Sequence, residues 1–192
     1  FNIPFRHKGD LPTAEEYAKV ITSTIKNKIR EYDLAEPKLL LEPGGAIVGD
    51  AAILLLKVGM VKETPGLAKW TAVDGGANVI LRASQGWYHY QIVAANKMNF
   101  KPTEKVNIAG PLCYSGDVIA RNRMLPALAE GDILAALEAG AYTFTYEFHG
   151  GGSHPLPAVI LISNKGDEVI RRRETLSDII GKDVLPMRLL GI

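Results

Sequence analysis

One carboxylate lies beside a glycine pair in the turn Glu42-Pro43-Gly44-Gly45. Glycines let backbone N–H groups approach a phosphate closely, and a carboxylate favours the protonated form of a nearby ring nitrogen. The turn follows the apolar run Leu39-Leu40-Leu41, so we expect it at the carboxyl end of a buried strand, where α/β barrels carry their catalytic groups. On these residues alone a simpler interpretation is favoured, in which a tight turn after a strand carries an exposed glutamate.

The single cysteine, Cys113, lies in a loop rich in glycine and proline that runs from Gly110 to Asp117. Loops carry function more often than cores do, and a thiol there could donate a proton to a carbanion or touch a substrate. A lone cysteine is also commonly a small buried hydrophobe, so both interpretations stay open at this point. One cysteine excludes an internal disulfide, which is typical of a reducing compartment.

Three further residues carry polar groups in glycine-rich surroundings. Tyr142 follows Gly140-Ala141 and could donate its phenolic O–H to a phosphate, or it could simply pack with its tip in water. His149 and His154 flank a glycine triplet, but no third ligand stands at a spacing typical of metal sites, so no metal is predicted. The charged run Arg171-Arg172-Arg173-Glu174 is interpreted as a solvated face rather than a nucleic-acid patch.

The elements that must position these residues begin with a helix. Thr13 and Glu16 form a capping-box pattern, and apolar residues at helical spacing predict an amphipathic helix over Ala14–Tyr32. The apolar run 39–41 that follows predicts a parallel strand buried on both faces, as in α/β folds. The sequence starts at Phe1 in what reads as a strand end or the loop after it, so we expect a fragment of a longer protein.

From about residue 52 the chain changes to short apolar runs separated by turn signals, which indicates an antiparallel β-domain. Strands are predicted over residues 53–61, 70–73, 79–81, 88–93, 106–109, 133–136, 143–148 and 158–162. Hairpin turns are predicted at Asp74-Gly75-Gly76 and at residues 164–167, and Thr175 with Asp178 predicts a short capped helix. The boundary falls near residues 45–52, which divides the chain into residues 1–50 and 51–192.

Composition limits the class of protein. Hydrophobic residues make up 47% of the 192 residues and charged residues 22%, which is ordinary for a soluble globular protein. A net charge of +1 predicts no broad attraction to nucleic acid or to an anionic membrane. No run of about 18 apolar residues and no signal peptide are visible, so we expect no membrane association and a cytoplasmic location.

Taken in order along the chain, the motifs resemble the C-terminal half of the diaminopimelate and ornithine decarboxylase family. The matching residues are Glu42-Pro43-Gly44, Val73-Asp74-Gly75-Gly76 with Arg82, Gly110-Pro111 with Cys113 and Ser115-Gly116-Asp117, Gly131-Asp132, Gly140-Ala141-Tyr142, and Arg172-Arg173-Glu174-Thr175. The resemblance implies a pyridoxal-phosphate-dependent amino-acid decarboxylase that joins an alanine-racemase-like (β/α)8 barrel to a C-terminal β-domain. Residues 1–50 would then be the last strand and helix units of the barrel. Residues 51–192 would form an antiparallel β-barrel or sandwich.

The resemblance also implies roles for the residues around the cofactor, pyridoxal 5'-phosphate. Glu42 would pair with the protonated pyridine nitrogen and keep the ring an electron sink. Gly44 and Gly45 would lie near the cofactor phosphate, and Tyr142 would hydrogen-bond the cofactor. Cys113 would reach into the partner subunit's site of a homodimer and handle protonation of the carbanion left by CO2 loss.

Arg82, Tyr114 and Asp117 are the residues that the resemblance assigns to substrate binding. Arg82 would line the pocket and could pair with a carboxylate, and Asp117 would shape the cysteine loop. Tyr114 stands where the family has an acidic residue that meets the substrate's distal amine, an interaction worth about 1.5–3 kcal/mol. The substrate is therefore predicted to be an amino acid or a larger amino-acid conjugate, such as a citryl-diamino acid, rather than free diaminopimelate or ornithine.

The motifs favour an enzyme, a carboxy-lyase. The family's Schiff-base lysine would lie upstream of Phe1, so the 192 residues by themselves are not expected to catalyse the reaction. Gly45 stands where the family usually has an arginine, which keeps open a non-catalytic relative that binds or regulates other decarboxylase subunits. An unrelated β-barrel binding domain is disfavoured by the order of the motifs.

Overall fold

The computed structural model describes residues 12–149 and 152–189 of the chain. The loop predicted over residues 1–10 and most of the glycine triplet after His149 lie outside these ranges. The helices are α1 (Ala14–Tyr32), α2 (Gly45–Val48), α3 (Ala77–Ser84) and α4 (Leu176–Ile180). The strands are β1 (Leu54–Lys62), β2 (Lys69–Val73), β3 (Ile92–Ala94), β4 (Glu104–Ala109), β5 (Val118–Leu125), β6 (Ile133–Ala136), β7 (Val159–Ser163) and β8 (Gly166–Arg171). Among the described helices, none has the length and apolar character needed to span a membrane.

Helix α1 is confirmed with the predicted bounds and cap. The Thr13 hydroxyl accepts from the Glu16 N–H at 3.2 Å, and the Glu16 carboxylate accepts from the Thr13 N–H at 2.7 Å. The helix ends at Asp33, whose φ of 50° reverses the backbone and whose N–H donates to the Ile29 carbonyl. No residue of α1 is buried by the other described residues, and local capping sets where the helix begins.

The strand predicted at Leu39-Leu40-Leu41 is absent. These residues have no regular secondary structure and are exposed, Leu40 by 75%. A strand forms only where a neighbouring strand supplies partners for its backbone groups, and no described strand pairs with this segment. The chain instead enters the short helix α2 directly after Glu42-Pro43-Gly44 and continues as a 3-10 turn over Gly49–Ala51.

The main body is a six-stranded mixed sheet with strand order β3-β6-β1-β2-β4-β5. Its pairs are antiparallel except for β2 and β4, which run parallel, so the purely antiparallel expectation is corrected at that pair. The two edge strands approach each other: Arg123 of β5 donates to the Tyr90 carbonyl, just before β3, at 3.2 Å. The sheet is therefore nearly closed into a barrel, as expected for the β-domain.

The core lies inside this curved sheet. Its fully buried side chains include Leu56 and Val58 of β1, Ile108 of β4 and Leu134 of β6. Helix α3 packs against β5, and its Ile80 is also completely buried in this core. Burial of this apolar set supplies the main stabilisation of the domain, at about 25 cal/mol for each Å² removed from water.

The link between β2 and α3 differs from the prediction. Residues 79–81 were predicted as a strand but belong to α3, and Asp74-Gly75-Gly76 connects a strand to a helix rather than two strands of a hairpin. Parallel strands need a crossover connection, and α3 with β3 lies in the chain that joins β2 to β4. A three-residue apolar run does not distinguish a buried helix from a buried strand.

Two other strand predictions were wrong in part, and one strand of the main sheet was missed. Residues 143–148 form a 3-10 turn over Phe144–Tyr146 instead of a strand, and the strand predicted at 88–93 is shortened to β3. Strand β5 was not predicted, because Arg121, Asn122 and Arg123 interrupt its apolar pattern. The remaining runs form β1, β2, β4, β6 and β7 as predicted.

The C-terminal part is a separate hairpin of β7 and β8 followed by α4. The turn predicted at residues 164–167 joins the two strands, and Thr175 caps α4 together with Asp178, as predicted. Arg172 donates to both carboxylate oxygens of Asp178, at 2.7 and 2.5 Å. The Arg172 guanidinium and the Thr175 N–H hold the pKa of Asp178 well below its usual range.

This pairing predicts an acid-sensitive helix α4. A carboxylate whose folded pKa is depressed contributes stability above its unfolded pKa and loses it as pH falls toward the folded pKa. We therefore expect α4 to lose helicity on acidification from about pH 5 to about pH 2, and Arg172→Gln to move that loss to higher pH. Cα chemical shifts of residues 176–180 followed by NMR measure this. An identical titration in the variant would contradict the pairing, and Arg188→Gln serves as a matched control.

Candidate active site

The turn at Gly44 meets Tyr142, which lies 98 positions later in the sequence. A Cβ placed on Gly44 would lie 2.8 Å from the Tyr142 hydroxyl oxygen, and the φ of Gly44 is +43°. The backbone angle therefore favours glycine at this position, and a side chain here would displace the Tyr142 hydroxyl. The predicted phosphate-binding turn and the predicted cofactor tyrosine are thus neighbours in the fold.

A second close approach positions Tyr142. The Gly140 N–H donates to the Gly49 carbonyl and the Ala139 N–H donates to the Ala52 carbonyl, each at 2.8 Å. A Cβ on Gly140 would overlap the carbonyl of Val48, so only glycine allows these two segments to dock. Tyr142 itself has a φ of +56°, a left-handed conformation that is unfavourable for a tyrosine and is held by this docking.

Arg82 lies on the same side of the fold as Tyr142. Its guanidinium carbon lies 4.8 Å from the centroid of the Tyr142 ring and 4.7 Å from that of Tyr88. Within residues 12–149 and 152–189, no carboxylate or carbonyl accepts a hydrogen bond from this guanidinium. A cation held by aromatic faces keeps its N–H edges available for an anion.

Glu42 is exposed and makes no hydrogen bond or ion pair with another described residue. It lies two residues before Gly44, so the turn that brings Gly44 to Tyr142 also fixes where Glu42 leaves the backbone. Gly45 begins α2 directly behind this turn, and the Ala141 side chain lies beside it, 3.9 Å from where a Cβ would be. The four residues that were predicted to hold the cofactor therefore occupy one region of the structure.

The carboxylate of Asp117 joins the cysteine loop to the start of α3 through hydrogen bonds. Its carboxylate accepts from the Ala77 N–H at 2.6 Å and from the Leu112 N–H at 2.7 Å, and the residue is only 3% exposed. A Cβ on Gly76 or Gly110 would overlap this carboxylate. Asp117 therefore ties the loop to the start of α3, with both oxygens already engaged inside the chain.

Cys113 and Tyr114 lie at the surface of that loop. Cys113 is a free, exposed cysteine. The Tyr114 ring packs against Gly116, and its hydroxyl lies 3.4 Å from the Ser84 hydroxyl in the last turn of α3. Among the described residues, no hydrogen bond or ring contact joins Cys113 to Gly44, Arg82 or Tyr142.

Two residues of this region were missed by the sequence analysis. Tyr88 contacts Arg82, and Glu138 accepts a hydrogen bond from the Tyr88 hydroxyl at 3.0 Å. A signal for Glu138 was present, because a lone charged residue ends the apolar run that precedes Gly140. Tyr88 carried no such signal.

Among the described residues, no hydrogen bond or ring contact joins His149 or His154 to Gly44, Arg82 or Tyr142. His149 Nε2 is 2.8 Å from the Glu174 carboxylate, and among the described residues no group of three His, Cys, Asp or Glu side chains could hold a metal. Arg171 forms an ion pair with Glu147, whose side chain is only 6% exposed, so the run 171–174 is not simply a solvated face. Burial raises the pKa of Glu147, and Arg171 opposes that effect.

Comparison with known proteins decides the family. Residues 17–140 match the family described as pyridoxal-dependent decarboxylase, C-terminal sheet domain. The chain belongs to this family. The match covers the turn at Gly44, α3 and Gly140, which lie together in the candidate site, and it also covers the cysteine loop.

Individual relatives of this family agree in fold and in extent. The diaminopimelate decarboxylase of Methanothermobacter thermautotrophicus is 42% identical over 189 residues, which cover 98% of this chain and 43% of the relative. That of Bacillus subtilis is 34% identical and covers 96% and 42%. A crystal structure of diaminopimelate decarboxylase from M. jannaschii with L-lysine superposes with a TM-score of 0.83 at 37% identity, covering 97% of this chain and 42% of that one. The chain thus spans about two-fifths of the length of these relatives.

Proposed function

We propose that the complete protein containing this chain is a pyridoxal-phosphate-dependent amino-acid decarboxylase, and that this chain supplies one wall of its active site. The observation that carries the proposal is the docking of Gly140-Ala141-Tyr142 on the turn at Gly44, with the Arg82 guanidinium against the Tyr142 ring. This docking brings a glycine turn, a phenol and a cation together. The chain that carries them belongs to a family of pyridoxal-dependent decarboxylases.

The residues at this turn fit the phosphate of the cofactor. The N–H groups of Gly44 and Gly45 and the hydroxyl of Tyr142 donate to no other described residue, so three donors are available within a small region. Gly44 has no side chain to obstruct an approaching phosphate, and a Cβ there would meet the Tyr142 hydroxyl. Phosphate groups bind at such sites through backbone N–H and hydroxyl donors.

Bound pyridoxal phosphate supplies an electron sink for the pair released when CO2 leaves the substrate. The role proposed for Glu42 is to place its carboxylate beside the ring nitrogen. An opposite charge within about 4–6 Å favours the protonated form of that nitrogen. The exposed position of Glu42 and its lack of a partner among the described residues support this role.

Arg82 is proposed to bind a carboxylate of the substrate. The guanidinium carbon lies over the Tyr88 and Tyr142 rings, and its N–H groups donate to no described acceptor, so a carboxylate can accept two parallel hydrogen bonds from them. Decarboxylation turns the leaving carboxylate into neutral CO2, so a cation bound to that group would stabilise the substrate more than the transition state. Arg82 is therefore suited to a carboxylate that stays on the substrate.

Cys113 is proposed to deliver a proton to the carbon that has lost CO2, in the active site of a partner subunit. Its thiol is exposed, and among the described residues it makes no hydrogen bond to the Gly44 turn of its own chain, which supports a role across a homodimer interface. Asp117 fixes the loop that presents it, so Asp117 is proposed as a positioning residue.

Tyr114 is proposed to shape substrate choice, because its neutral phenol stands in the cysteine loop where a carboxylate would attract a distal ammonium. The Tyr114 ring packs against Gly116, and Tyr114 is 47% exposed. We expect Tyr114→Glu to raise kcat/KM for meso-diaminopimelate about tenfold, the equivalent of one charged hydrogen bond of about 1.5 kcal/mol. Steady-state kinetics on the complete protein measure this, with Tyr114→Phe as the control. Efficient turnover of diaminopimelate by the unaltered protein would contradict the role of Tyr114.

The proposed function is tested on the complete protein. We expect it to be yellow with bound pyridoxal phosphate and to release CO2 from an amino acid or an amino-acid conjugate. Glu42→Gln should reduce the rate of CO2 release while leaving the cofactor bound, because the carboxylate acts on the electronic state of the ring. A complete protein that binds no pyridoxal phosphate would instead be a non-catalytic relative.

A further inference from the structure

Glu138 is a buried carboxylate to which the proposed function gives no role. The residue is 9% exposed and has a φ of +60°, a backbone conformation that is uncommon for a glutamate. Its carboxylate accepts a hydrogen bond from the Tyr88 hydroxyl at 3.0 Å. Burying a carboxylate is costly, so its position beside this phenol needs a reason beyond packing.

The Tyr88 ring is fixed on two further sides. It lies edge-to-face on the Tyr90 ring, with the centroids 4.6 Å apart, and Tyr90 is buried in the core. The N–H groups of Trp87 and Tyr88 both donate to the Arg82 carbonyl, at 3.0 and 3.2 Å. This turn brings the Tyr88 ring back onto the guanidinium of Arg82.

The three groups form one chain of contacts, from the Glu138 carboxylate through the Tyr88 phenol to the Arg82 cation. A phenol that donates to a carboxylate gains electron density, which strengthens the attraction between its ring face and a cation. The Tyr142 ring also contacts the guanidinium. Two aromatic rings therefore contact the Arg82 guanidinium, while its N–H groups donate to no described acceptor.

We propose that Glu138 is a positioning residue that acts through Tyr88 to hold the Arg82 guanidinium with its N–H edge toward a carboxylate that the substrate keeps. The inference rests on the proposed function for the role of Arg82. It adds that Glu138 and Tyr88, which do not touch the substrate, set the affinity of the site for the carboxylate that the substrate keeps.

Two probes that differ in one carboxylate test the inference. L-lysine has one carboxylate, the one that remains after CO2 has left diaminopimelate, and cadaverine is the same diamine chain without it. Their dissociation constants are measured on the complete protein with bound pyridoxal phosphate, by the stopped-flow change in cofactor absorbance before turnover. Tyr88→Phe and Glu138→Ala should each weaken L-lysine about five- to tenfold, the size of one lost hydrogen bond of about 1–1.4 kcal/mol, and leave cadaverine within about twofold.

Two further variants separate positioning from folding. The double variant should be no weaker than either single variant, since both substitutions break the same link. Glu138→Gln keeps an acceptor for the Tyr88 hydroxyl and should stay within about twofold of the unaltered protein. Glu168→Gln, on the exposed face of β8, is the matched control.

The outcomes are distinct. Equal losses for both probes, or no loss with Tyr88→Phe, would overturn the role of Glu138 even where the complete protein binds the cofactor and decarboxylates an amino acid. A complete protein that binds no pyridoxal phosphate would overturn the proposed function itself.

Discussion

Cys113→Ala in the complete protein is expected to reduce normal product formation by about 100-fold or more, the size of a lost general-acid group. The cofactor should remain bound, because no described hydrogen bond or ring contact joins Cys113 to the Gly44 turn or Tyr142 of its own chain. The carbon that loses CO2 would take its proton slowly from water instead. Steady-state rates of product formation and the visible absorbance of the bound cofactor measure the two effects separately.

A control variant in the same loop completes this experiment. Ser115→Ala alters a neighbouring hydroxyl in the same loop without touching the thiol, and it should keep most of the activity. Unchanged turnover in Cys113→Ala would remove the cysteine from the mechanism.

Gly140→Ala is expected to disrupt the site, although Gly140 has no side chain that could bind the cofactor or react. Its Cβ would overlap the Val48 carbonyl and break the hydrogen bond from Gly140 to Gly49. Overpacking of this kind costs about 1–3 kcal/mol, and the displaced Tyr142 would no longer lie beside Gly44. We expect the affinity for pyridoxal phosphate to fall at least about tenfold, as it does when a contact of about 1.4 kcal/mol is lost.

Chemical denaturation and cofactor titration measure the two parts of this prediction. Gly59→Ala on β1 is the matched control, because the nearest atom to its new Cβ would be 3.9 Å away. A Gly140→Ala protein with unchanged cofactor affinity would show that the docking of the two segments does not shape the site.

Local signals in the sequence predicted the elements that depend on local interactions. The capping boxes at Thr13 and Thr175 fixed the starts of α1 and α4, because each joins residues three apart. Helix α3 was predicted as a strand, since its start is held by the Asp117 carboxylate, 40 positions later in the chain. A contact of that range leaves no periodic pattern in the sequence.

The candidate site likewise contains residues that local sequence motifs indicate and residues whose place only the structure reveals. Gly44, Cys113 and Tyr142 stand in short motifs whose residue types suggest chemistry, and Arg82 was proposed from the resemblance of the ordered motifs to the decarboxylase family. Tyr88 is one of seven tyrosines and lies in no motif, and its role follows only from its contact with Arg82. The parallel pairing of β2 with β4 was hidden for a related reason, because both strands have apolar runs that fit either direction.

The central claim is that Glu42 of one subunit and Cys113 of another serve the same active site. Subunits carrying Glu42→Ala are mixed and refolded with subunits carrying Cys113→Ala, each of which should be inactive alone. If each site takes Glu42 from one subunit and Cys113 from the other, a mixed dimer has one unaltered site out of two. About half of the dimers are mixed on random pairing, so about a quarter of the original activity should return. Recovery of no activity, while both variants still bind pyridoxal phosphate and form dimers, would contradict the account.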